Sequence, residues 1–375
     1  MAMTTPSPLN FAQPQLDDAT VAAVSEVLRS NWIASGQHVL ALEKELSATF
    51  GNRPTRLLTS ATGAMEIALQ VCGIGPGDEV IAGAQTFAST MNMIIKVGAK
   101  PVFVDCDLVT RALDLAQVEA AITPATRAIV PTHFPGALVD MDALYALAQK
   151  HKLRVIEDAA LVQGSHWKGQ PVGSFGDIAT FSFHPNKNMT TIEGGALVVN
   201  DEAEAKQVEM LRFHGFQRQP DDTRDVVQAA GKFNMSDVSA VIGRHQLREL
   251  PRFLAHRAEL VAHYFAHFPA IEGAVLPPQG VPDQSWNMFC VLLPFEKLGR
   301  TRAQFRADLK AQGIATGLSY ESWHLTTVGR QLGYHDGQFP IAERIGRETV
   351  TLPLHAAMTK EDVLRVCRAV ADWVQ

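Results

Sequence analysis

The chain has 375 residues, of which 46% are apolar and 19% charged, a composition typical of a globular protein with room for two domains. Its 39 acidic and 33 basic residues give a net charge of −6. This argues against nucleic acid as the main partner, because such binding needs a basic surface. Neither a signal pattern nor a run of about 18 apolar residues is visible, so we expect a cytoplasmic protein. We expect no disulfides and no metal site, because the cysteines lie far apart, at Cys72, Cys106, Cys290 and Cys367.

The predicted elements of the first two thirds of the chain indicate an α/β domain. A helix is predicted over 17–30, and from 55 to 200 short apolar runs alternate with helical patterns at 62–72, 86–97 and 142–151. Runs that are apolar throughout indicate strands buried on both faces, so we expect three layers around a mostly parallel seven-stranded sheet. The seven strand candidates are 56–60, 79–83, 101–104, 127–132, 154–157, 177–183 and 196–199.

The last third indicates a second, smaller domain. A Gln/Asp/Arg-rich stretch, 217–230, is predicted to be an exposed loop, and a helical pattern at 237–268, interrupted by Pro251, leads out of the large domain. We therefore expect a large cofactor-binding domain with an N-terminal arm at 1–250 and a small α+β domain at 251–375. The small domain contains a strand candidate at 288–294, a helix at 301–312, an apolar run at 313–320 and a helix from about 359.

Three candidate binding groups follow predicted strands, where ligands bind in open α/β sheets. The segment 60–63, SATG, offers hydroxyls and helix N-terminal amides to a phosphate, although simple helix capping explains the same residues. Asp158 ends the strand RVIE and suits a cationic ring nitrogen, or a helix cap. Phe87 lies just past another strand end, where it either stacks on a flat cofactor or packs in the core.

The fourth group is Lys187 in the segment FSFHPNKN, which has no acidic residue nearby in sequence. A lysine at a water-poor strand end can have a lowered pKa and form a Schiff base. An exposed lysine with its stem along the surface is the alternative, but it does not explain the polar residues around it or the Gly194-Gly195 pair that follows. Together the four groups supply what pyridoxal 5′-phosphate (PLP) needs: an amine, an acid, an aromatic cover and a phosphate site.

The motifs that carry these groups resemble the DegT/StrS family of nucleotide-sugar aminotransferases, which are fold-type I PLP enzymes. Within the family the chain is most similar to the enzymes that aminate a UDP-4-keto-pentose to give 4-amino-4-deoxy-arabinose. The matching segments are NWIASG (31–36), SATGAMEIAL (60–69), TFASTMNMI (86–94), VIEDAA (155–160), FSFHPNKN (181–188), EGGALVVND (193–201), KFNMSD (232–237) and the segment 352–359.

The resemblance implies a role for each matching residue. Lys187 would form the internal Schiff base, Asp158 would pair with the pyridine nitrogen, and Phe87 would stack on the ring. Asn234 would reach the phosphate from the other subunit of a homodimer with shared active sites. In the implied reaction an amino donor, usually L-glutamate, converts PLP to pyridoxamine phosphate, which then aminates a keto-sugar while Lys187 moves the proton. The implied phosphate ligands within the subunit are Thr62, Gly63 and Ser182.

Departures from the family pattern leave the substrate open. Leu161 stands where the family has Gln or His, with Gln163 two positions on, and Ser319-Tyr320 stands where the family often has His-Tyr. Together with the differing loop 215–232, these residues are expected to line the substrate side. The candidate substrate contacts are His133, His184, His324 and Tyr320, although a single histidine is more often structural.

Three alternatives to a nucleotide-sugar aminotransferase remain open at this stage. A transaminase of the same family that acts on a non-sugar amine or ketone fits the Leu161 and Ser319 departures. A sugar 3-dehydratase is disfavoured, because that branch replaces the Schiff-base lysine with histidine. A regulatory protein would need a DNA-binding appendage, for which the residues before 17 are too few.

Overall fold

The computed structural model describes residues 7–375, which fold into helices and strands that alternate along the first half of the chain. The α-helices are α1 (Asp18–Arg29), α2 (Gln37–Thr49), α3 (Ala61–Val71), α4 (Ala88–Lys96), α5 (Leu115–Ala121), α6 (Met141–His151), α7 (Glu202–Leu211), α8 (Asp237–His267), α9 (Arg302–Ala311), α10 (Thr327–Gln331), α11 (Pro340–Glu348) and α12 (Lys360–Val374). The strands are β1 (Thr55–Leu58), β2 (Glu79–Gly83), β3 (Lys100–Val104), β4 (Thr126–Val130), β5 (Arg154–Asp158), β6 (His166–Trp167), β7 (Gln170–Pro171), β8 (Ile178–Ser182), β9 (Gly195–Val198), β10 (Phe216–Arg218), β11 (Arg224–Val226), β12 (Phe289–Leu292) and β13 (Thr349–Leu352).

A seven-stranded sheet in the order β1-β9-β8-β5-β4-β2-β3 forms the centre of the large part of the molecule. The strands from β8 to β3 run parallel, whereas β9 is antiparallel to both of its neighbours. One face packs against α3 and α7, and the other against α2, α5, α6 and α8. The expected three-layer, mostly parallel α/β architecture is therefore confirmed, and burial on both faces explains why its strands are apolar at successive positions.

Helix α8 runs without a break through Pro251, where the sequence predicts an interruption. A proline inside a helix costs about 3 kcal/mol, and burial of the helix against two cores offsets this cost. Leu250 packs in the core beside the sheet, whereas Leu260 packs in a second core built from α9, α12, β12 and β13. The expected division at residue 250 thus lies within one continuous helix. Leu9, from the start of the chain, also belongs to the second core.

The local structure differs from the sequence predictions in some places. The stretch 217–230 is not only loop, since β10 and β11 pair there as an exposed antiparallel hairpin. The apolar run 313–320, for which the sequence predicts no particular element, makes isolated bridges, Leu9 with Ile314 and Gly317 with Thr351. Helices α2, α5, α7 and α11 and strand β13 have no counterpart among the sequence predictions, because their apolar faces are short and depend on tertiary contacts.

The sheet order brings the key segments together. Strands β1, β5 and β8 point the same way, and their carboxyl ends meet at one edge, where β9 enters from the opposite direction. Asp158 ends β5, Ser182 ends β8, and Gly195 opens β9. Residues that are far apart in sequence therefore surround one crevice.

Candidate active site

A cavity of about 310 Å³ lies at the carboxyl ends of β5 and β8, between the sheet and the segment 318–320. Its base is formed by Asp158, Lys187 and Thr180, and Phe87 lies in its wall. Thr62, Ser182, His184 and Tyr320 also line the cavity, so the fold brings most of the sequence-predicted residues to one place.

Asp158 is held rigidly at the base of this cavity. Its backbone N–H donates to the Pro131 carbonyl at 2.9 Å, and its own carbonyl accepts from the His133 N–H at 3.1 Å. Its carboxylate accepts from the Ala160 N–H at 3.2 Å and from the Thr90 hydroxyl at 3.3 Å. Burial raises the pKa of Asp158, while the Ala160 amide, Lys187 and Thr90 oppose the rise. A buried carboxylate of this kind is suited to pair with a cationic ring nitrogen.

Lys187 lies in the loop after β8 and faces the same cavity. Its backbone N–H donates to the His184 carbonyl at 2.9 Å, and the Asn188 side chain ties the loop to the Gln163 carbonyl at 3.1 Å. Burial lowers the pKa of Lys187 from 10.5 to about 8, and the Asp158 charge opposes this shift. Within residues 7–375 the amine makes no ion pair, so it is available as a nucleophile and base.

The amino end of α3 forms one corner of the cavity. Ser60 caps the helix, and its hydroxyl accepts from the Gly63 N–H at 3.0 Å, so the Gly63 amide already has a partner within the cap. The Thr62 and Ser182 hydroxyls line the cavity beside it. The first amides of a helix have no intrahelical acceptor, so this corner combines amide donors with two hydroxyls, which is typical of a phosphate site.

Gly195 explains the glycine pair after Lys187. A Cβ atom on Gly195 would lie 2.5 Å from the Ala61 nitrogen and 2.5 Å from the Ser60 carbonyl carbon. Its φ is not in the left-handed region, so the requirement for glycine is spatial. The strand can approach the start of α3 only because this position has no side chain.

Phe87 is not a core residue. Its side chain is 48% exposed at the start of α4, and its ring lies 5.4 Å from the Tyr320 ring, tilted by 59°. Tyr320 is buried, and burial raises the pKa of its hydroxyl. An exposed aromatic ring in the wall of a cavity is available for stacking on a planar ligand.

Two of the candidate substrate histidines do not line the cavity. His133 Nε2 lies 3.1 Å from Glu157 Oε2, and both side chains are fully buried in the sheet region. His324 Nε2 lies 3.1 Å from Glu343 Oε1 in a separate buried pair, where burial lowers the pKa of His324. Because neither residue lines the cavity, we do not propose them as substrate contacts. His184 does line it, with Nδ1 2.9 Å from Asn186 Oδ1.

Asn234 does not line the cavity of its own subunit. Its amide donates to the Ser35 hydroxyl at 2.7 Å, and its carbonyl oxygen accepts from Lys232 at 2.9 Å. The NWIASG and KFNMSD segments also meet where Asp237 accepts from the Gly36 N–H at 2.9 Å. The two motifs thus form one corner, which adjoins the end of β1, where the Thr59 N–H donates to the Phe233 carbonyl at 2.7 Å.

The departures from the family pattern have distinct structural outcomes. Leu161 lines the cavity and is 3% exposed, whereas Gln163 does not line it and donates instead to the Met189 sulfur at 3.0 Å. Gln163 therefore does not stand in for the absent polar side chain. Ser319 lines the cavity, but its hydroxyl accepts from Thr351 at 2.9 Å. The differing loop, which forms the β10–β11 hairpin, is not among the lining residues of this subunit.

Phe11 and Met288 are among the lining residues that sequence reasoning missed. Phe11, in the N-terminal arm, and Met288, just before β12, both line the cavity. Neither follows a strand of the central sheet, so no periodic pattern or strand-end position distinguishes them from other apolar residues.

The chain matches the model of the DegT/DnrJ/EryC1/StrS aminotransferase family over residues 14–371. The chain belongs to this family. Its fold is similar to that of a sugar aminotransferase, Spr1654 from Streptococcus pneumoniae, in the PLP form (31% identity, 98% of this chain and 100% of that chain, TM-score 0.90). It is also similar to S. venezuelae DesV (31%, 99% of each chain, TM-score 0.89) and to 3-amino-5-hydroxybenzoic acid synthase (30%, 98% and 99%, TM-score 0.88).

This family member is a PLP-dependent aminotransferase, as the sequence predicts. The cavity fits the cofactor: a buried acid and a lysine with a lowered pKa lie at its base, an exposed ring at its side and a helix terminus at one corner. When bound, PLP supplies an aldehyde and an electron-withdrawing ring. No helix in the described part of the chain is long and apolar enough to cross a bilayer.

Proposed function

We propose that this aminotransferase transfers an amino group from L-glutamate to a keto-sugar nucleotide and works as a cytoplasmic homodimer with shared active sites. The observation that carries the proposal is the gradient of side-chain exposure along the cavity. Asp158 and Lys187 lie at its base, whereas hydrogen-bonding side chains that are about half or more exposed lie at its mouth. Such a site holds the reacting carbonyl carbon at a water-poor base and leaves a large polar part of the substrate near solvent.

The base of the cavity supplies the acid–base chemistry. In the proposed roles, Asp158 holds the cofactor ring in its cationic form and Lys187 anchors the cofactor and moves the proton at the reacting carbon. With a pKa of about 8, a substantial fraction of Lys187 is neutral near pH 7.5, as a general base requires. Thr90 and the Ala160 amide orient the Asp158 carboxylate, and Thr62, Gly63 and Ser182 are the proposed phosphate ligands.

The mouth of the cavity suits a hydroxylated substrate. His184 Nε2 lies 3.9 Å from Glu193 Oε1, and their side chains are 49% and 67% exposed. Asn186 and Ser89 complete a set of donors and acceptors that can bind sugar hydroxyls. Similarity to Spr1654, which is described as a sugar aminotransferase, supports the same substrate class.

A second candidate substrate is a carbonyl compound that is not a sugar. Leu161 and Met288 give one side of the cavity an apolar surface, which favours a less hydroxylated acceptor. Similarity to 3-amino-5-hydroxybenzoic acid synthase supports this alternative.

A substrate panel distinguishes the two candidates. The purified enzyme, loaded with PLP, is incubated with L-glutamate and either keto-sugar nucleotides or simple ketones, and 2-oxoglutarate formation is measured. We expect turnover with a keto-sugar nucleotide and none with Lys187→Ala, whereas Lys206→Ala, which changes an exposed lysine on α7, keeps wild-type activity. Turnover confined to simple ketones would contradict the sugar proposal, and borohydride reduction must fix the cofactor on Lys187.

The proposed homodimer rests on an exposed apolar surface near Asn234. Trp32 is 65% exposed, Leu40 65%, Leu28 53% and Ile33 50%, and a second copy of the chain would bury them. Asn234 lies beside this surface through its bond to Ser35, so we propose that it reaches the partner's phosphate site.

We also keep the proposed division at residue 250, with each domain contributing one side of the cavity.

Mixed dimers test the shared site. Neither Lys187→Ala nor Asn234→Ala alone is expected to be active, but a heterodimer of the two contains one intact site. Partial recovery of activity on mixing therefore supports the proposal, and no recovery despite exchange of subunits would contradict it.

A further inference from the structure

The N-terminal arm, residues 7–15, crosses the second core and reaches the active-site cavity. The Leu9 N–H donates to the Gly313 carbonyl at 2.8 Å, and the Ala315 N–H donates back to the Leu9 carbonyl at 3.0 Å. The Arg365 guanidinium donates to the Ser7 carbonyl at 2.8 Å, and the Leu9 side chain is only 7% exposed. The arm is therefore fixed at Ser7 and Leu9, which sets the position of the residues that follow.

Phe11 is the arm residue that enters the cavity wall. Its ring lies against Gly317: a Cβ atom there would be 2.5 Å from Phe11 Cε2 and 2.6 Å from Cζ. Gly317 is itself fixed, because its N–H donates to the Thr351 carbonyl at 2.8 Å and its carbonyl accepts from the Thr351 N–H at 2.9 Å. Its φ is outside the left-handed region, so the backbone conformation tolerates alanine, and the three atoms nearest to an added Cβ all belong to the Phe11 ring.

The wall continues from Phe11 along the chain that follows Gly317. Leu318, Ser319 and Tyr320 line the same cavity, and Gln85 and Arg111 anchor this segment by donating to the Tyr320 and Ser319 carbonyls at 3.1 Å and 2.5 Å. Phe11 therefore lies at the edge of an anchored surface. It also lines a smaller adjoining cavity together with Asn186 of the Lys187 loop.

We propose that Phe11 is a specificity-determining residue, whose ring contacts the C–H face of the substrate held above the cofactor. The inference rests on the proposed function for the kind of substrate, but the contact applies to any acceptor or donor that fills the cavity. Phe11 contacts the substrate equally in the ground and transition states, because it is apolar and takes no part in proton transfer. Its loss should therefore change KM more than kcat.

The test measures kcat and KM for donor and acceptor in four enzymes: wild type, Phe11→Ala, Gly317→Ala and the double variant. We expect Phe11→Ala to raise the acceptor KM about 10-fold with kcat within about threefold, the range of a lost apolar contact. Gly317→Ala should have a similar effect, because its methyl displaces the ring. In the Phe11→Ala background the same methyl meets no ring, so the double variant should equal Phe11→Ala alone. Phe11→Leu should restore most of the affinity.

Two readouts separate this inference from a structural role and from the proposed function. Cofactor absorbance and affinity should be unchanged in Phe11→Ala; a weakened cofactor site with an unchanged KM would overturn the inference. Additive effects of the two substitutions would also overturn it. A wild-type enzyme that converts no keto-sugar nucleotide would contradict only the proposed function. The role of Phe11 is then tested by comparing the KM of wild type and Phe11→Ala for the amino donor and for the acceptor that is converted.

Discussion

Replacement of Gly195 by alanine is the sharpest test of how the cofactor corner is built. The new Cβ would lie 2.5 Å from the Ala61 nitrogen and 2.7 Å from the Ser60 carbonyl oxygen, and both are backbone atoms. Ordinary contact begins at 3.4 Å, so strand and helix must separate by close to 1 Å. Neither can move freely, because Gly195 is paired with Leu58 on one side and with Ser182 on the other.

This geometry sets the expected size of the effect. Overpacking a well-packed site costs about 1–3 kcal/mol, and we expect Gly195→Ala to reach the upper end because only backbone can yield. Any shift of β9 also displaces Ser182, a proposed phosphate ligand, so PLP affinity should fall about 10-fold or more.

The assay needs a glycine control in open surroundings. Gly75 has an ordinary φ, and a Cβ there would approach nothing closer than 3.8 Å, so Gly75→Ala should leave both stability and PLP affinity unchanged. Urea unfolding of the cofactor-free proteins gives the change in stability, and titration with PLP followed by absorbance gives the affinity. The reasoning is refuted if Gly195→Ala unfolds at the same urea concentration as Gly75→Ala and binds PLP equally well.

Three further predictions concern charge, burial and assembly. The reactivity of Lys187 toward an amine reagent in the cofactor-free protein should rise with pH around a midpoint near 8, and Asp158→Asn should lower that midpoint. Peptide mass spectrometry measures the fraction of modified Lys187, and a midpoint near 10.5 would contradict a pKa lowered by burial. His133→Leu should destabilise the protein by about 1–3 kcal/mol, because the buried Glu157 Oε2 loses its partner while Oε1 keeps the Tyr145 hydroxyl. The substrate KM should be unchanged in steady-state assays, and an increased KM would restore His133 to the substrate site. Trp32→Ser should shift the protein toward monomer in analytical ultracentrifugation and reduce activity in parallel, and an unchanged dimer would place the interface elsewhere.

The sequence predicts the sheet and its chemistry well because both have local signals. Each sheet strand is a short apolar run, and each chemical group lies within a few residues of a strand end, as Asp158 and Lys187 do. The order of strands is not local, however. Strand β9 is antiparallel between β1 and β8, an arrangement that depends on contacts between segments far apart in sequence, and no periodicity reveals it.

The histidines show the limit of reasoning from residue type. His133 follows β4 just as Asp158 ends β5, so both belong to the same edge of the sheet. Their side chains nevertheless differ in direction: the Asp158 carboxylate lines the cavity, whereas the His133 ring pairs with Glu157. Alternation along a strand determines this difference, and a shift of one residue in the predicted strand end reverses the result.

The substrate wall is unpredictable for a different physical reason. Main-chain hydrogen bonds fix Asp158 to the sheet and Lys187 within its loop, whereas Phe11 is positioned by the arm and its contact with the second core, and the segment 317–320 by Thr351, Gln85 and Arg111. Because the Asp158 carboxylate is held by Thr90 and the Ala160 amide and by no side chain of the arm, substitutions in the arm can change what the cavity accepts without moving Asp158. Departures such as Leu161 are then compatible with unchanged chemistry, and differences in substrate between related enzymes should concentrate in the wall. The Phe11–Gly317 contact is the part of that wall whose geometry is most tightly constrained.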